Sequence, residues 1–208
     1  MNTFIAIPCH NGDIKVGLSL ALCQAASTNK VTIVPRVHSA LTRNFNELLC
    51  QAINEKFTHF CMVHSDVVPQ GDWLTQMHKD MAMTDADILS ATIAIKGSGS
   101  TSTGVFEGES VNCYSMKDLM SVQVFADPNI ALNTGLMLIK LSDKFISSVI
   151  DGLHFRVIDN IRVRGGRLCA EGMSEDWDFS REARKRGLKL FATNNIKINH
   201  IGETNFLN

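Results

Sequence analysis

Four short stretches of this chain carry residue types that can do chemistry. Pro8-Cys9-His10-Asn11-Gly12 is a tight polar turn after an apolar run, and such a turn offers backbone N–H groups to a ligand. Arg43-Asn44 places a base and an amide at the start of a helical pattern, where they can hold a phosphate or a nucleobase. His64-Ser65-Asp66 sets an imidazole and a carboxylate two residues apart, on one side of an extended chain. Both groups ligate divalent ions, oxygen suiting Mg²⁺ or Mn²⁺. Glu175-Asp176-Trp177-Asp178-Phe179 puts acids in the first turn of a helix, and His200-Ile201-Gly202 ends a late apolar run.

Taken singly, each stretch has a plain structural reading. The turn after Pro8 serves as an ordinary strand-to-helix connection, Arg43 as a solvated helix face and Asp66 as a turn cap. Acids at a helix start answer the macrodipole. The GxGxxG cradle is absent, so an ordinary dinucleotide site is unsupported.

The elements that must position these residues alternate. Strands are expected over 3–8, 31–37, 58–63 and 87–95, with Pro35 at a strand end or a sheet edge. Apolar residues at helical spacing fall between them: Ile14 to Ala25, Leu41 to Ile53, and Trp73 to Met81. This alternation predicts one mixed α/β domain, a mostly parallel sheet with helices on both faces. Such sheets bind ligands at the carboxyl ends of their strands, here after Pro8, Val37, Val63 and Ile95. Beyond Ile95 the rhythm breaks. Lys96 to Gly104 (KGSGSTSTG) reads as a flexible loop, and Arg162 to Gly172 as a second polar, glycine-containing loop. Strand-like runs are expected at 122–126, 134–140, 189–193 and 196–200. Helices are expected at 142–150 and 174–187, the last with Ser174 as N-cap and Gly187 as its stop.

Composition sets the bounds. The 208 residues carry 20 basic and 21 acidic side chains, a net charge of -1, which argues against a basic nucleic-acid footprint over the whole chain. No apolar run has the roughly 18 residues of a membrane span. The N-terminus lacks the basic region of a signal peptide, so a cytoplasmic home is expected. The six cysteines form no CxxC pair and are expected as buried, reduced thiols rather than a disulfide or zinc framework. A basic group from Arg162, Arg164 and Arg167 through Arg181, Arg184, Lys185, Arg186 and Lys189 can track a phosphate backbone, or simply form a solvated face interleaved with Glu182.

In this order and spacing the stretches resemble a GT-A fold, family 2-like glycosyltransferase in a short form met in phages and bacteria. The resemblance runs from Pro8 and Asn11 through Arg43-Asn44 and the DxD-like His64-Ser65-Asp66. It continues through Asn133-Thr134-Gly135 and Glu175-Asp176-x-x-Phe179 to His200-x-Gly202. It implies a single GT-A (Rossmann-like) domain over 1–208, with a nucleotide-binding half (1–95) and an acceptor-binding half (96–208). Pro8, His10, Asn11, Arg43, Asn44, His64, Ser65 and Asp66 would bind the nucleotide-sugar. Asp66 and His200, with His64 as a possible third ligand, would hold Mn²⁺ or Mg²⁺. Asp176 would be the catalytic base of an inverting transfer, Glu175 would stand beside it, and Thr134-Gly135 would line the acceptor side. The family favours a UDP-sugar donor and leaves oligomers open. The acceptor is a glycan, a lipid-linked sugar, a protein or a modified DNA base. His64 replaces the first Asp of DxD, which keeps a second class in play: a binding or regulatory protein on this fold with weakened catalysis. A sugar-phosphate nucleotidyltransferase is disfavoured, because that class opens with a glycine-rich, arginine-containing loop and this turn is PCHNGD.

Overall fold

The computed structural model describes residues 1–201. Gly202, part of the final motif, lies outside the described residues. The elements run β1 (Thr3–Cys9), α1 (Val16–Thr28), β2 (Val31–Val37), α2 (Leu41–Asn54), β3 (His59–Val63), β4 (Val67–Pro69), α3 (Trp73–Thr84) and β5 (Ile88–Ala91). There follow β6 (Ser100–Glu107), β7 (Ser110–Ser115), β8 (Val124–Phe125), β9 (Ile130–Ala131), β10 (Leu136–Lys140) and α4 (Asp143–Ile150). The last are β11 (Ile158–Arg164), β12 (Arg167–Met173), α5 (Glu175–Lys185), β13 (Leu190–Thr193) and β14 (Ile198–His200).

The central sheet has seven strands in the order β2-β1-β3-β10-β5-β13-β8. β1, β2 and β3 are parallel, and so are β5 and β13. β10 runs against both β3 and β5, and β8 against β13. Five of the seven strands thus point one way. Their side chains alternate between two cores, as the period of 2 requires. Phe4, Ala6, Phe60, Met62, Met137 and Ile139 meet α2, α4 and α5 on one face. Ile5, Ile7, Cys61, Val63, Leu136 and Leu138 meet α1 and α3 on the other. β2 is an edge strand, which accommodates Pro35.

Both expected loops are mostly strand. Only the turn at 96–99 precedes β6, whose Thr101, Thr103 and Phe106 face inward. Thr101 Oγ1 donates to Thr103 O at 2.8 Å, so this buried hydroxyl is satisfied within the strand. β-Branched threonines on a half-buried surface outweigh the Gly/Ser punctuation. The second loop is the β11–β12 hairpin, closed by Gly165 (φ 56°) and Gly166 (φ 75°). Two residues at positive φ are what a two-residue type I′ turn needs, and the Gly-Gly pair was the available signal. The cysteines also divide. Cys9 and Cys61 are buried thiols, but Cys23 and Cys50 stand on the outer faces of α1 and α2, and Cys113 and Cys169 are half-buried; all six are unbridged.

Candidate functional site

The sheet's carboxyl edge gathers residues from distant parts of the chain. Behind β3, Val67 N–H donates to His64 O at 3.0 Å, closing a turn that carries Ser65 and Asp66. β14 pairs antiparallel with β4, with His200 opposite Val67, and Ile201 N–H donates to Asp66 O at 2.9 Å. That register sets His200 Nε2 3.5 Å from Asp66 Oδ2. His200 Nδ1 lies 2.8 Å from the Ala94 carbonyl. A carbonyl only accepts, so Nδ1 donates to it, and Nε2 is the ring nitrogen that faces Asp66.

β10 enters between β3 and β5 from a turn built by Asn133. Its Nδ2 donates to Ala91 O (2.8 Å), and its Oδ1 accepts from Gly135 N (3.1 Å). Gly135 fits closely there: a Cβ would come within 2.6 Å of Ile93 Cδ1, which would have to turn aside. Thr134 Oγ1 lies 3.3 Å from His64 Nε2. The His64 ring packs against Phe45, and burial pushes its pKa down to about 4 despite the nearby Asp66 carboxylate. It is therefore a neutral partner of Thr134.

α5 begins across the same cavity. Asp176 Oδ1 accepts from Ser174 Oγ and from Trp177 N (2.8 Å). Burial pushes the Asp176 pKa up to about 6, against the Ser174 hydrogen bond that lowers it and with the Glu175 charge that raises it. The cavity holds about 160 Å³ among His64, Thr134, Gly135, Glu175, Asp176 and His200. Pockets that enclose a whole ligand run about 300–1,000 Å³, so only the reacting part of a substrate fits inside.

The remaining expected residues sit apart from this cavity. Pro8 is buried within β1, opposite Arg36 of β2. His10 and Asn11 are exposed on the turn beyond it, where Asn11 and Asp13 bond one another. Arg43 is 69% exposed and pairs with Glu47 at 2.9 Å. It lines a 780 Å³ depression on α2 in which Arg36 and Arg43 both pair with Glu47, and Glu55 accepts from Gln51. Asn44 is fully buried; its Nδ2 donates to Arg36 O at 2.8 Å, tying α2 to β2, and its Oδ1 has no partner.

Two roles were not visible in the sequence. Lys96, read there as the start of a loop, places Nζ 2.6 Å from Asp66 Oδ2. Its position directly after the strand expected over 87–95, where ligands are bound in such sheets, was the available signal. Asp178, read as a helix-start acid, is 0% exposed and is held by Arg156 Nε (2.7 Å) and Arg181 (2.6 Å), locking α5 onto the segment before β11.

The residues fit a divalent ion in part. Asp66 and His200 supply an oxygen and an oriented imidazole nitrogen, with the backbone carbonyl behind the ring that metal-ligating histidines commonly use. His64 Nε2 faces Thr134 Oγ1 at 3.3 Å. Among the described residues no three His, Cys, Asp or Glu side chains converge on one point, so an ion held here would need further ligands from outside this set.

No family model matches the chain, and no curated protein matches it. Solved structures do. A197 from STIV is 15% identical, with a TM-score of 0.61 over 98% of this chain and 87% of that one. The S. aureus TarS fragment 1–349 in complex with UDP-GlcNAc is 12% identical, with a TM-score of 0.56 over 98% of this chain. The fold is GT-A-like. The chain spans 60% of that TarS fragment and 35% of a longer TarS structure. At these identities the likeness is one of architecture. Among the described residues no helix is long and apolar enough to cross a membrane.

Proposed function

We propose that this protein is a glycosyltransferase that moves a sugar from a nucleotide-sugar, a UDP-sugar by preference, to an acceptor hydroxyl with inversion. The observation that carries the reading is Asp176. It is a carboxylate with a pKa raised to about 6, in a small cavity that also receives His200. A general base is most effective with a pKa near the working pH. Asp176 Oδ1 is held by Ser174 and Trp177, which fixes the carboxylate and leaves Oδ2 to take the acceptor proton. Attack then comes on the face of the sugar opposite the departing diphosphate, and the anomeric centre inverts. Glu175 would border the acceptor, and Thr134 and Gly135, which line the same cavity, would lie on the acceptor side.

Asp66 and His200 would hold Mn²⁺ or Mg²⁺ against the diphosphate. Such an ion offsets the charge that gathers on the leaving group. The TarS structure, which shares the fold and contains UDP-GlcNAc, supports the donor class. The basic residues of the C-terminal third give no support to DNA as the acceptor. Arg162 and Arg164 pair with Glu109 and Glu171, Lys185 and Arg186 with Glu182, and Lys189 with Asp85. The test is thermal unfolding with UDP and UDP-sugars, in Mn²⁺ and in EDTA, followed by assay of sugar release. A ligand that binds only the native state raises Tm. No shift with any nucleotide-sugar would overturn the reading, and equal shifts in Mn²⁺ and EDTA would remove the metal from it.

A further inference from the structure

The Asp66 carboxylate already carries a cation. Lys96 Nζ lies 2.6 Å from Asp66 Oδ2, the oxygen that His200 Nε2 approaches at 3.5 Å. Both groups are delivered by one short segment: Ala94 O fixes the histidine ring, and Lys96 follows two residues later. The base of the segment is rigid. Ile95 N–H donates to Ser100 O at 2.9 Å, and Ser102 N–H to Ile93 O at 2.9 Å. Its tip is open. Ser98 N–H donates to Ile95 O at 3.1 Å, Gly97 holds φ 71°, and a Cβ at Gly97 or Gly99 would meet nothing within 4 Å. The lysine thus has a fixed root, a free four-carbon stem and a side chain 41% exposed.

A divalent ion bound at Asp66 Oδ2 would stand within hydrogen-bond distance of this ammonium, and two cations repel at that range. One must leave. Lysine is a compact point charge with three rotatable donors, suited to phosphate oxygens of varied geometry. We propose that Lys96 is a diphosphate-binding residue that neutralises Asp66 while the site is empty, yields it to the divalent ion, and then pairs with the donor's leaving group. This rests on the nucleotide-sugar reading above. It adds a positive group, and it couples metal affinity to the presence of the donor.

Mn²⁺ alone and UDP with Mn²⁺ separate these roles in the full chain, by electron paramagnetic resonance and by calorimetry. Lys96→Met should bind Mn²⁺ alone more tightly, by up to about fivefold, the equivalent of releasing a half-exposed ion pair of up to about 1 kcal/mol. The same variant should bind UDP, at saturating Mn²⁺, about tenfold more weakly, as expected for one lost charge-assisted hydrogen bond. Lys96→Arg keeps the charge and should restore most of the UDP affinity. Opposite signs for Mn²⁺ and UDP in Lys96→Met are the signature, and a structural role for an exposed turn residue does not produce them. Unchanged UDP affinity, or Mn²⁺ binding that stays the same or weakens, overturns the proposal while wild-type UDP binding leaves the function intact. A wild-type protein that binds no UDP sinks both.

Discussion

Removing the proton acceptor at position 176 without changing its shape separates chemistry from binding. Asp176→Asn should leave UDP affinity intact and lower sugar transfer by at least about 10²-fold, the smaller value for general-base assistance. Tm should not fall, because the substitution relieves the burial of a charge. Wild-type turnover in this variant would make Asp176 a helix-start acid and nothing more. The pH profile gives an independent check. kcat/KM should rise with pH through about 6, where Asp176 loses its proton. The Ser174 hydrogen bond favours the ionised form, so Ser174→Ala should move that acid limb to higher pH. For the pair at the other side, Asp66→Ala and His200→Ala should each weaken UDP binding in Mn²⁺, and the double variant little more than either. Groups that share one ion are not additive. Clean additivity, read by calorimetry, would mean separate sites.

At the scale of elements, the site depends on strands that approach without room to spare. β6 pairs with β7 and β9, and through Thr103 it touches the turn that starts β10: Asn133 Nδ2 donates to Thr103 Oγ1 at 3.1 Å. A Cβ at Gly104 would collide with the Asn112 carbonyl across the β6–β7 ladder and approach Val111 Cγ1 at 2.8 Å. The backbone carbonyl cannot rotate away as a side-chain tip can. Gly104→Ala should therefore destabilise the protein by about 1–3 kcal/mol, the range for overpacking. Urea unfolding should show a lower midpoint with an unchanged slope. Displacement of β6 should also pass through Asn133 to Gly135, so transfer should fall in the surviving folded fraction. Gly99, where a Cβ would meet nothing within 4 Å and the backbone is not left-handed, is the control at which neither space nor conformation sets such a limit.

For the whole molecule, pH acts through groups far apart. Burial pushes His59, His64 and His78 each down to about 4. The unfolded chain binds protons at these sites from about pH 6.5 downward and the native chain does not, so acid favours unfolding between pH 6.5 and 4. Asp176 works the other way. Its native pKa of about 6 lies above that of the unfolded carboxylate, so its protonation supports the native state as pH falls from 6 toward 4. Three protons against one leave a net loss: Tm should drop steadily as pH falls from 7 to 4.5. In His78→Gln the slope should be shallower by one proton. A flat Tm over this range would show that these rings titrate normally. His59 and His78 lie edge to face at 4.7 Å and line no part of the cavity, so their share of this acid sensitivity belongs to the fold, while the share of His64 arises at the cavity itself.

The alternation of apolar strand runs with helically spaced segments was enough to call for a sheet covered on both faces, and Phe4 and Ala6 indeed face one core while Ile5 and Ile7 face the other. For the same local reason Asp66 could be placed at a strand end and Asp176 at a helix start. Register was not in the sequence. His200 meets Asp66 only because β14 lies on β4, and His64 meets Thr134 only because β10 inserts backward between β3 and β5. Neither pairing has a local signal, since a strand's hydrogen-bonding edge is the same for every partner. Tertiary contact also decided the fate of the charges. Arg36 of β2 went to Glu47 of α2, Asp178 to Arg156, and Lys96 to Asp66, each choice made by which side chains the packed backbone brought within reach.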